Sequence, residues 1–202
     1  MPEHTQPPAP TLDNTTFAVL CGGEGRRMGG KDKPLLNWRD QPMIDHVLSS
    51  VPSQLPKLLS ANRNLEQYAR RGKVIRDSQV QLPGRVKPGP LTGVLSLLQH
   101  CTTEWILIAP GDTPALPSQW WQVMLDVATA NLHHVVAHDG QRQQHLHLLL
   151  HNSAQAALLD FLGASRFQVF LWLQELQPAI AQFDDAAAFR NINYPDELNN
   201  SV

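Results

Sequence analysis

The residues with the clearest chemical content lie in the segment from Leu20 to Leu36, which reads LCGGEGRRMGGKDKPLL. It holds five glycines, two arginines and two lysines, and it follows the short apolar run Phe17–Leu20. Glycines let backbone N–H groups crowd around an anion without side-chain clash, and cations among them neutralise its charge. The pattern therefore indicates phosphate binding at the end of a strand, and an enzyme that handles a polyphosphate.

Two better-known phosphate loops do not fit this segment. Gly25 to Lys31 has most of the Walker A spacing, but Asp32 stands where that loop has Ser or Thr, and an acid there would repel the phosphate. The dinucleotide fingerprint fails because the third glycine position after Gly23 is Met28. The alternative is a surface loop with incidental charge, and four cations beside one strand end favour phosphate binding over it. These cations are Arg26, Arg27, Lys31 and Lys33.

The elements that must position this loop alternate between short apolar runs and amphipathic stretches. Such alternation indicates a mostly parallel sheet covered by helices on both faces, which is a three-layer, doubly wound α/β fold. In such a fold the ligand lies at the carboxyl ends of the strands. The predicted strands are Phe17–Leu20, Lys57–Ala61, Lys73–Arg76 and Trp105–Ala109, and the predicted helices are Pro42–Val51, Leu65–Arg71, Leu91–His100 and Pro117–Ala130.

The later third of the chain is less regular. Val135–Ala137 and Leu146–Leu150 flank Asp139-Gly140, which predicts a hairpin added to the sheet. Two helices are predicted next, Ser153–Leu162 and Phe167–Leu176, and Pro178 is a stop signal after the second. A short strand or extended segment follows at Phe189–Asn193, and a last helix begins with proline at Pro195–Leu198.

Length and composition set wide limits on the class of protein. The chain has 202 residues, and we expect a Pro-rich, disordered tail at residues 1–16 and a single domain at residues 17–202. A formal net charge of −2 gives no reason to expect nucleic acid or an acidic membrane as a partner. Two cysteines are too few for a disulfide framework, and without a signal peptide or a membrane-spanning run we expect a cytoplasmic protein.

The pattern GGxxxRMGGxDKxLL, from Gly22 to Leu36, resembles the signature of the molybdenum cofactor guanylyltransferase family. Members of that family are nucleotidyltransferases with a Rossmann-like domain. Further segments match in the same order, so the resemblance covers about residues 17–199. The matching segments are Ser60–Arg63, Val74–Asp77, Gly89–Gly93, Pro110–Pro114 and Asn191–Asn193.

The resemblance implies a nucleotide site built mainly from the first segment. Leu20, Cys21 and Gly22 would hold the nucleotide through their backbone. Lys33 would approach the phosphates as a mobile charge, and with Arg27 it would stabilise the charge that moves onto pyrophosphate. The other positions that the resemblance assigns to nucleotide or acceptor binding are Gly23, Gly30, Ser60, Asn62, Asp77, Asn191 and Asn193.

Asp112, which follows the apolar run Trp105–Ala109, is implied to hold Mg²⁺. A hard cation takes oxygen ligands, usually one or two protein carboxylates completed by phosphate and water, and a single aspartate at a strand end suits it. The alternative is a helix N-cap, because aspartate is a preferred cap and Thr113-Pro114 comes next.

Two other groups of implied site residues have structural alternatives. Asp77 is implied to contact GTP, but it would also serve as a turn residue. Asn191 and Asn193 share one face of an extended segment, with Ile192 on the other, and the resemblance directs the pair toward the pterin side. The alternative is a turn that enters the last helix.

The chain departs from the family pattern at four places. Cys21 stands where the family usually has Ala, and Ser60 stands where it usually has Asn, which shortens or removes one nucleotide contact. Gln144-His145 replaces a His-Pro pair around the hairpin, and Phe167 replaces a basic residue. The last two changes concern recognition of the pterin more than that of the nucleotide.

Six of the nine histidines fall close together and raise a metal hypothesis. Their spacing is not that of a zinc finger or an HExxH site, and no cysteine or acid completes a set. We therefore expect most of them to be surface or half-buried strand residues. They are His133, His134, His138, His145, His147 and His151.

Together these inferences predict transfer of GMP from GTP to the phosphate of molybdenum-molybdopterin, with release of pyrophosphate. The loop also leaves open a cytidylyltransferase, a sugar-phosphate nucleotidyltransferase or a non-catalytic nucleotide- or pterin-binding carrier. The resemblance implies transient contact with other cofactor-biosynthesis proteins and with target apoenzymes, and neither nucleic acid nor a membrane as a partner.

Overall fold

The structure is a computed structural model that describes residues 7–22, 31–76, 89–131 and 133–198. Its strands are β1 (Thr15–Leu20), β2 (Asn37–Trp38), β3 (Gln41–Pro42), β4 (Lys57–Ser60), β5 (Lys73–Ile75), β6 (Trp105–Pro110), β7 (Val135–His138), β8 (Gln143–His151) and β9 (Ala179–Gln182). Its α-helices are α1 (Met43–Ser49), α2 (Leu65–Ala69), α3 (Pro90–His100), α4 (Trp120–Asn131), α5 (Ala154–Gly163) and α6 (Val169–Leu176).

Seven of the described strands form one sheet in the order β5-β4-β1-β6-β8-β7-β9, and β2 and β3 form a separate small ribbon. β1 lies between β4 and β6 and runs parallel to both. β8 is antiparallel to its neighbours β6 and β7, and β9 returns parallel to β7. The predicted doubly wound, mostly parallel sheet with an added hairpin is therefore confirmed.

Helices cover both faces of this sheet because its central strands are apolar on both sides. Phe17 and Val19 of β1 pack in one cluster with α1, α2 and α4, and the ring of Phe17 meets Trp120 edge-on at 6.1 Å. Ala18, one residue along, packs in the opposite cluster with α3, α5 and α6. Successive side chains of a strand point to opposite faces, so a strand buried on both faces reads as a continuous apolar run.

The β7–β8 hairpin closes through a side-chain turn at the predicted Asp139-Gly140. Asp139 Oδ1 accepts hydrogen bonds of 2.8 Å from the backbone N–H groups of Gln141 and Arg142. Its Oδ2 accepts a 2.5 Å bond from Gln144 Nε2, and Gly140 adopts a φ of +94° that a side chain would strain. The side-chain amide of Gln144 is therefore used to hold the hairpin.

The amino-terminal boundary differs from the prediction. β1 begins at Thr15, inside the predicted tail. The indole Nε1 of Trp105 donates a 2.8 Å hydrogen bond to the carbonyl of Pro8, so the segment before β1 packs against the start of β6. A single side-chain-to-backbone contact of this kind leaves no trace in the hydrophobic period.

Three later elements also differ from the prediction. α4 begins at Trp120 rather than at Pro117, and Pro195–Leu198 is a 3-10 helix. Phe189–Asn193, predicted as a short strand or an extended segment, forms no strand. β9 was not predicted, because four residues after Pro178 are too short to show a period. No helix in the described ranges is long and apolar enough to cross a bilayer.

Candidate functional site

Three strand ends meet where the sequence predicts the ligand. In the sheet register, Leu20 at the end of β1 lies between Ser60 of β4 and Pro110 of β6. Just beyond the strands, the N–H of Cys21 donates to Ser60 O and the N–H of Gly111 donates to Leu20 O, both at 2.9 Å. The predicted backbone positions therefore lie beside the turn that carries Asp112.

Four predicted polar side chains converge at this edge of the sheet. The Nζ of Lys33 donates a 2.6 Å hydrogen bond to Asn193 Oδ1 and lies 3.5 Å from Asp112 Oδ2. Asn191 Nδ2 donates a 2.8 Å bond to Asp112 Oδ1. The side chains of Lys33 and Asp112 are 20% and 17% exposed, so they are ordered by their contacts and still reachable from solvent.

The carboxylate of Asp112 is held by polar side chains and not by a helix terminus. The N-cap alternative is wrong, because the residues after Asp112 form turns and α4 begins only at Trp120. Burial raises the pKa of Asp112, while the neighbouring Lys33 and Asn191 act in the opposite direction. A partly buried carboxylate with one flanking ammonium is a suitable place for further positive charge.

A close backbone approach brings Lys33 next to Asp112. Lys33 opens a 3-10 helix, Lys33–Leu35, and Pro34 of that helix rests on Gly111. A Cβ at Gly111 would lie 3.0 Å from two Pro34 atoms and 3.3 Å from Val19 Cγ1. Glycine is therefore required here by close approach, and the contact sets the spacing between the lysine and the aspartate.

Asp32, which sequence reasoning weighed only as a mismatch to Walker A, has a structural role. Its side chain is 3% exposed and accepts a 3.0 Å hydrogen bond from Asn64 Nδ2, with Arg63 Nε at 3.4 Å. Arg63 also donates to the carbonyl of Lys31 at 3.3 Å. Asp32 thus connects the end of the glycine-rich segment to the loop after β4. In the sequence, the only sign of this role was the position of an acid between two lysines.

Glu197 is a second residue that sequence reasoning missed. Its Oε2 accepts hydrogen bonds of 2.6 Å from the N–H of Asn193 and 3.0 Å from that of Tyr194, and its carboxylate also pairs with Arg190. These backbone bonds lower the pKa of Glu197. The available signal was a glutamate three residues after Tyr194, the spacing at which an acid caps the start of a helix.

The remaining predicted positions have different outcomes. Asn62 lies after β4 and is exposed. Cys21 is buried, and burial together with the nearby carboxylates Asp32 and Asp112 raises the pKa of its thiol well above the usual value. The thiol therefore stays protonated and is a poor nucleophile. The residues Gly23, Arg27, Gly30 and Asp77 lie outside the described residues.

A second region of the site is a cavity of about 220 Å³ between β8 and the strand ends. His145, His147 and Asn191 are among its lining residues. His147 is 1% exposed, which corrects the expectation of a surface or half-buried residue, and burial lowers its pKa to about 3. Among the described residues, no three metal-ligating His, Cys, Asp or Glu side chains are grouped.

The fold and the convergence of Lys33, Asp112 and the two asparagines define the class: the protein is a nucleotidyltransferase of the α/β type. The chain belongs to the family described as "MobA-like NTP transferase domain", which it matches over residues 17–180. The molybdenum cofactor guanylyltransferase of Vibrio cholerae is 35% identical over 193 residues, 94% of this chain and 93% of that protein. That of Shewanella halifaxensis is 35% identical over 183 residues, 89% of each chain.

Solved structures show the same fold at low sequence identity. Molybdopterin-guanine dinucleotide biosynthesis protein A from Archaeoglobus fulgidus superposes with a TM-score of 0.70 at 19% identity, covering 91% of this chain and 94% of that one. A nucleotidyl transferase from Methanothermobacter thermautotroptrophicus gives 0.66 at 16% identity, covering 92% and 94%. These structures share the fold, and the family recognised from the sequence motifs is confirmed by the family match and by the relatives at 35% identity.

Proposed function

We propose that the protein transfers GMP from GTP to the phosphate of molybdenum-molybdopterin, giving the guanine dinucleotide form of the cofactor and pyrophosphate. The observation that carries the proposal is the cluster of Lys33, Asp112, Asn191 and Asn193 at the carboxyl end of the parallel strands. Relatives at this identity are named for that reaction. A cytoplasmic location remains a prediction.

The reaction asks for positioning and charge neutralisation more than for covalent work by the protein. An oxygen of the acceptor phosphate attacks the α-phosphorus of GTP in line, and the bond from that phosphorus to the oxygen of the departing pyrophosphate breaks. The acceptor phosphate is already ionised at neutral pH, so no general base is needed. Lys33 and Arg27 are both proposed to stabilise the charge that moves onto pyrophosphate.

The donor set around Asp112 fits a magnesium ion. One carboxylate, partly buried and partly exposed, is the usual protein contribution to a Mg²⁺ site that phosphate oxygens and water complete. When bound, the ion supplies further neutralisation of phosphate charge. Asn191, which donates to one carboxylate oxygen of Asp112, would orient the group and leave lone pairs of both oxygens for the ion.

The nucleotide and the acceptor are proposed to enter from different sides of this cluster. The ends of β1 and β4, with Leu20, Cys21, Gly22 and Ser60, border the proposed nucleotide side, and Gly23, Gly30, Asn62 and Asp77 remain predicted contacts. On the other side, Asn191 contacts Asp112 and also lines the cavity under β8. We infer that the cavity side receives the acceptor.

The test is an assay of pyrophosphate release with the purified full chain, molybdenum-loaded molybdopterin, Mg²⁺ and each nucleoside triphosphate in turn. GTP-specific release that depends on the acceptor supports the proposal. Preference for CTP would indicate a cytidylyltransferase, and GTP binding without turnover would indicate a carrier, so either result contradicts it. Normal activity of Arg27→Ala would remove Arg27 from the charge-stabilising role.

A further inference from the structure

A buried histidine lies directly behind the turn that carries Asp112. His147 sits on β8, and its ring is packed edge-on against Phe189 at 5.1 Å and against Trp120 at 6.1 Å. Its Nε2 lies 3.3 Å from the hydroxyl oxygen of Thr113. The ring therefore joins the hairpin to the residue that follows the proposed metal ligand.

The hydrogen-bond pattern fixes which nitrogen of His147 carries the proton. The hydroxyl of Thr113 has one hydrogen, which it donates to the carbonyl of Pro110 at 2.9 Å. Toward His147 the hydroxyl oxygen must accept, so Nε2 must be the protonated nitrogen. Nδ1 then carries a lone pair that has no hydrogen-bond partner among the described residues.

The bond to Thr113 separates this histidine from an apolar residue that would fill the same space. Phenylalanine or leucine could also pack against Phe189 and Trp120, but neither could donate a hydrogen bond. The bond from Nε2 to Thr113 is what the histidine provides and an apolar residue would not. The hydrogen bond to Thr113 therefore accounts for the presence of a histidine at this position.

The turn from Pro110 to Thr113 sets the position of Asp112. Thr113 is fully buried, and its hydroxyl closes the turn onto the last residue of β6. The bond from His147 is a second contact on this hydroxyl, and it favours the rotamer in which Thr113 donates to Pro110. Without it, only the bond to Pro110 holds this side chain among the described contacts, so the turn is held less firmly.

We propose that His147 is a positioning residue, which holds the Asp112 carboxylate in place by fixing the Thr113 hydroxyl. The proposal rests on the function proposed above, in which Asp112 binds the metal that accompanies GTP. His147 does not contact the reacting groups itself; it acts through Thr113. His147 also lines the cavity that Asn191 lines, and Asn191 donates a hydrogen bond to Asp112.

The test uses four variants: His147→Phe, which keeps an aromatic ring and removes the donor, Thr113→Val, which removes the hydroxyl, the double variant, and Thr113→Ser, which keeps the hydroxyl. We expect each single variant to lower kcat about tenfold and to raise the Mg²⁺ concentration for half-maximal rate by a similar factor. The double variant should be no worse than Thr113→Val alone, because Thr113→Val already removes the bond to His147 together with the bond to Pro110. Thr113→Ser should stay within about twofold of the parent.

Two readouts do not depend on turnover. Long-range proton–nitrogen NMR of the histidine-labelled protein should show His147 as the Nε2-protonated tautomer, and a proton on Nδ1 would overturn the assignment. Titration of the GTP-loaded variants with Mn²⁺ should show the same weakening as the Mg²⁺ dependence. If His147→Phe fails to fold, a proton on Nδ1 of His147 in the parent, or an unchanged Mg²⁺ requirement of Thr113→Val, would still overturn the proposal.

The matched control is His134→Phe, which changes a half-buried histidine at the open end of the hairpin, where His134 Nδ1 accepts from the N–H of His151 at 3.1 Å. It should lower the melting temperature without changing the Mg²⁺ requirement. A fall in kcat of His147→Phe with an unchanged metal requirement would mean a merely structural role, and additive losses in the double variant would mean that His147 does not act through Thr113. Absence of GTP-dependent pyrophosphate release by the parent would instead contradict the proposed function, and the tautomer and Mn²⁺ measurements would still test the positioning role.

Discussion

The two halves of the sheet carry their polar residues in different ways. In the half formed by β5, β4, β1 and β6, the central strands are buried and mainly apolar, and the polar site residues lie outside the strands. Asp112 lies in the turn after β6, and Lys33 lies in the 3-10 helix that packs on that turn. In the half formed by β8, β7 and β9, polar groups lie within the strands, as His145 and His147 do on β8. In the first half, which we call the nucleotide half, the polar site residues lie in segments between the strands. In the second half, which we call the hairpin half, they lie on the strands themselves.

This difference has a physical reason. A parallel strand covered on both faces has no solvated side, so its polar groups are displaced to its ends. β8 is antiparallel and passes the end of β6 beside a cavity, so some of its side chains face a polar space. Substitutions in the nucleotide half should therefore mainly lower turnover. Substitutions in the hairpin half should mainly change the position of the site residues or the stability of the fold.

The largest effect is expected for Asp112→Asn. The amide keeps the shape of the carboxylate but removes the charge that would hold the metal, so turnover should fall by at least about a thousandfold while the fold persists. Pyrophosphate release and the melting temperature measure the two outcomes. Asp160→Asn on α5 is the control, and substantial remaining activity of the Asp112 variant would mean that the metal lies elsewhere.

A smaller loss is expected for Gly111→Ala. The new Cβ would meet Pro34 at 3.0 Å, so the 3-10 helix that carries Lys33 must move away from Asp112. A shift of a few tenths of an ångström should lower kcat by about tenfold. Gly72→Ala is the matched control, because its Cβ would meet Lys57 at the same 3.0 Å; it should lower stability and leave kcat unchanged. Equal kcat losses in both variants would contradict the role given to the Gly111 contact.

The next prediction concerns the Asn191–Asn193 segment, which contacts Lys33 and Asp112. Glu197→Ala removes the acceptor that holds the backbone N–H groups of Asn193 and Tyr194, and Asn193 should then hold Lys33 less firmly. We expect a loss of about fivefold in kcat with GTP binding within about twofold of the parent, measured by steady-state kinetics and calorimetry. Glu175→Ala on α6, which breaks only the surface pair with Arg166, is the control. An unchanged kcat for Glu197→Ala would mean that the segment is held by its other contacts.

The smallest effect on the site, and one confined to the hairpin half, is a pH dependence of stability. Burial, with smaller contributions from His151 and His133, lowers the pKa of His134 to about 4. The unfolded chain, with an ordinary histidine pKa of about 6.5, binds a proton first, so the folded state loses stability as pH falls from about 6.5 toward 4. The contribution is up to about 3 kcal/mol.

The measurement is chemical denaturation across that pH range. His134→Asn keeps an acceptor for the N–H of His151 and removes one of the titrating groups, so the fall in unfolding free energy should become smaller. Part of the fall should remain, because burial also lowers the pKa of His147 to about 3. The control is His133→Asn, which changes an exposed side chain and removes only a minor contribution to the shift of His134, so it should change the curve much less. Parallel curves for the parent and His134→Asn would mean that His134 is charged in the folded state or that another group controls acid unfolding.

The nucleotide half was predictable because its signals are local. Phe17–Leu20 and Trp105–Ala109 are apolar runs followed in sequence by glycine, and both were found within two residues of the observed bounds. The placement of Asp112 at a strand end followed from these runs. Its alternative as an N-cap was removed only by the true start of α4 at Trp120.

The hairpin half was less predictable because its decisive contacts are tertiary. His147 differs from the other histidines by its bond to Thr113, which no spacing along the chain could reveal. β9 is only four residues long and pairs with β7, whose own sequence gives no sign of a second partner. Glu197 was detectable in principle from its capping spacing, and Asp32 only from the three-dimensional contacts around it.

The separation along the chain of the residues that meet at Lys33 has a consequence for folding. Lys33 and Asn193 are 160 residues apart, and Asp112 and Asn191 are 79 apart. Contacts with such long intervening segments form late, because the entropy of closing the loop must be overcome before they stabilise the chain. During refolding, helical and strand signals should therefore recover before enzymatic activity does, and the delay would measure the docking of the Asn191–Asn193 segment onto a sheet that has already formed.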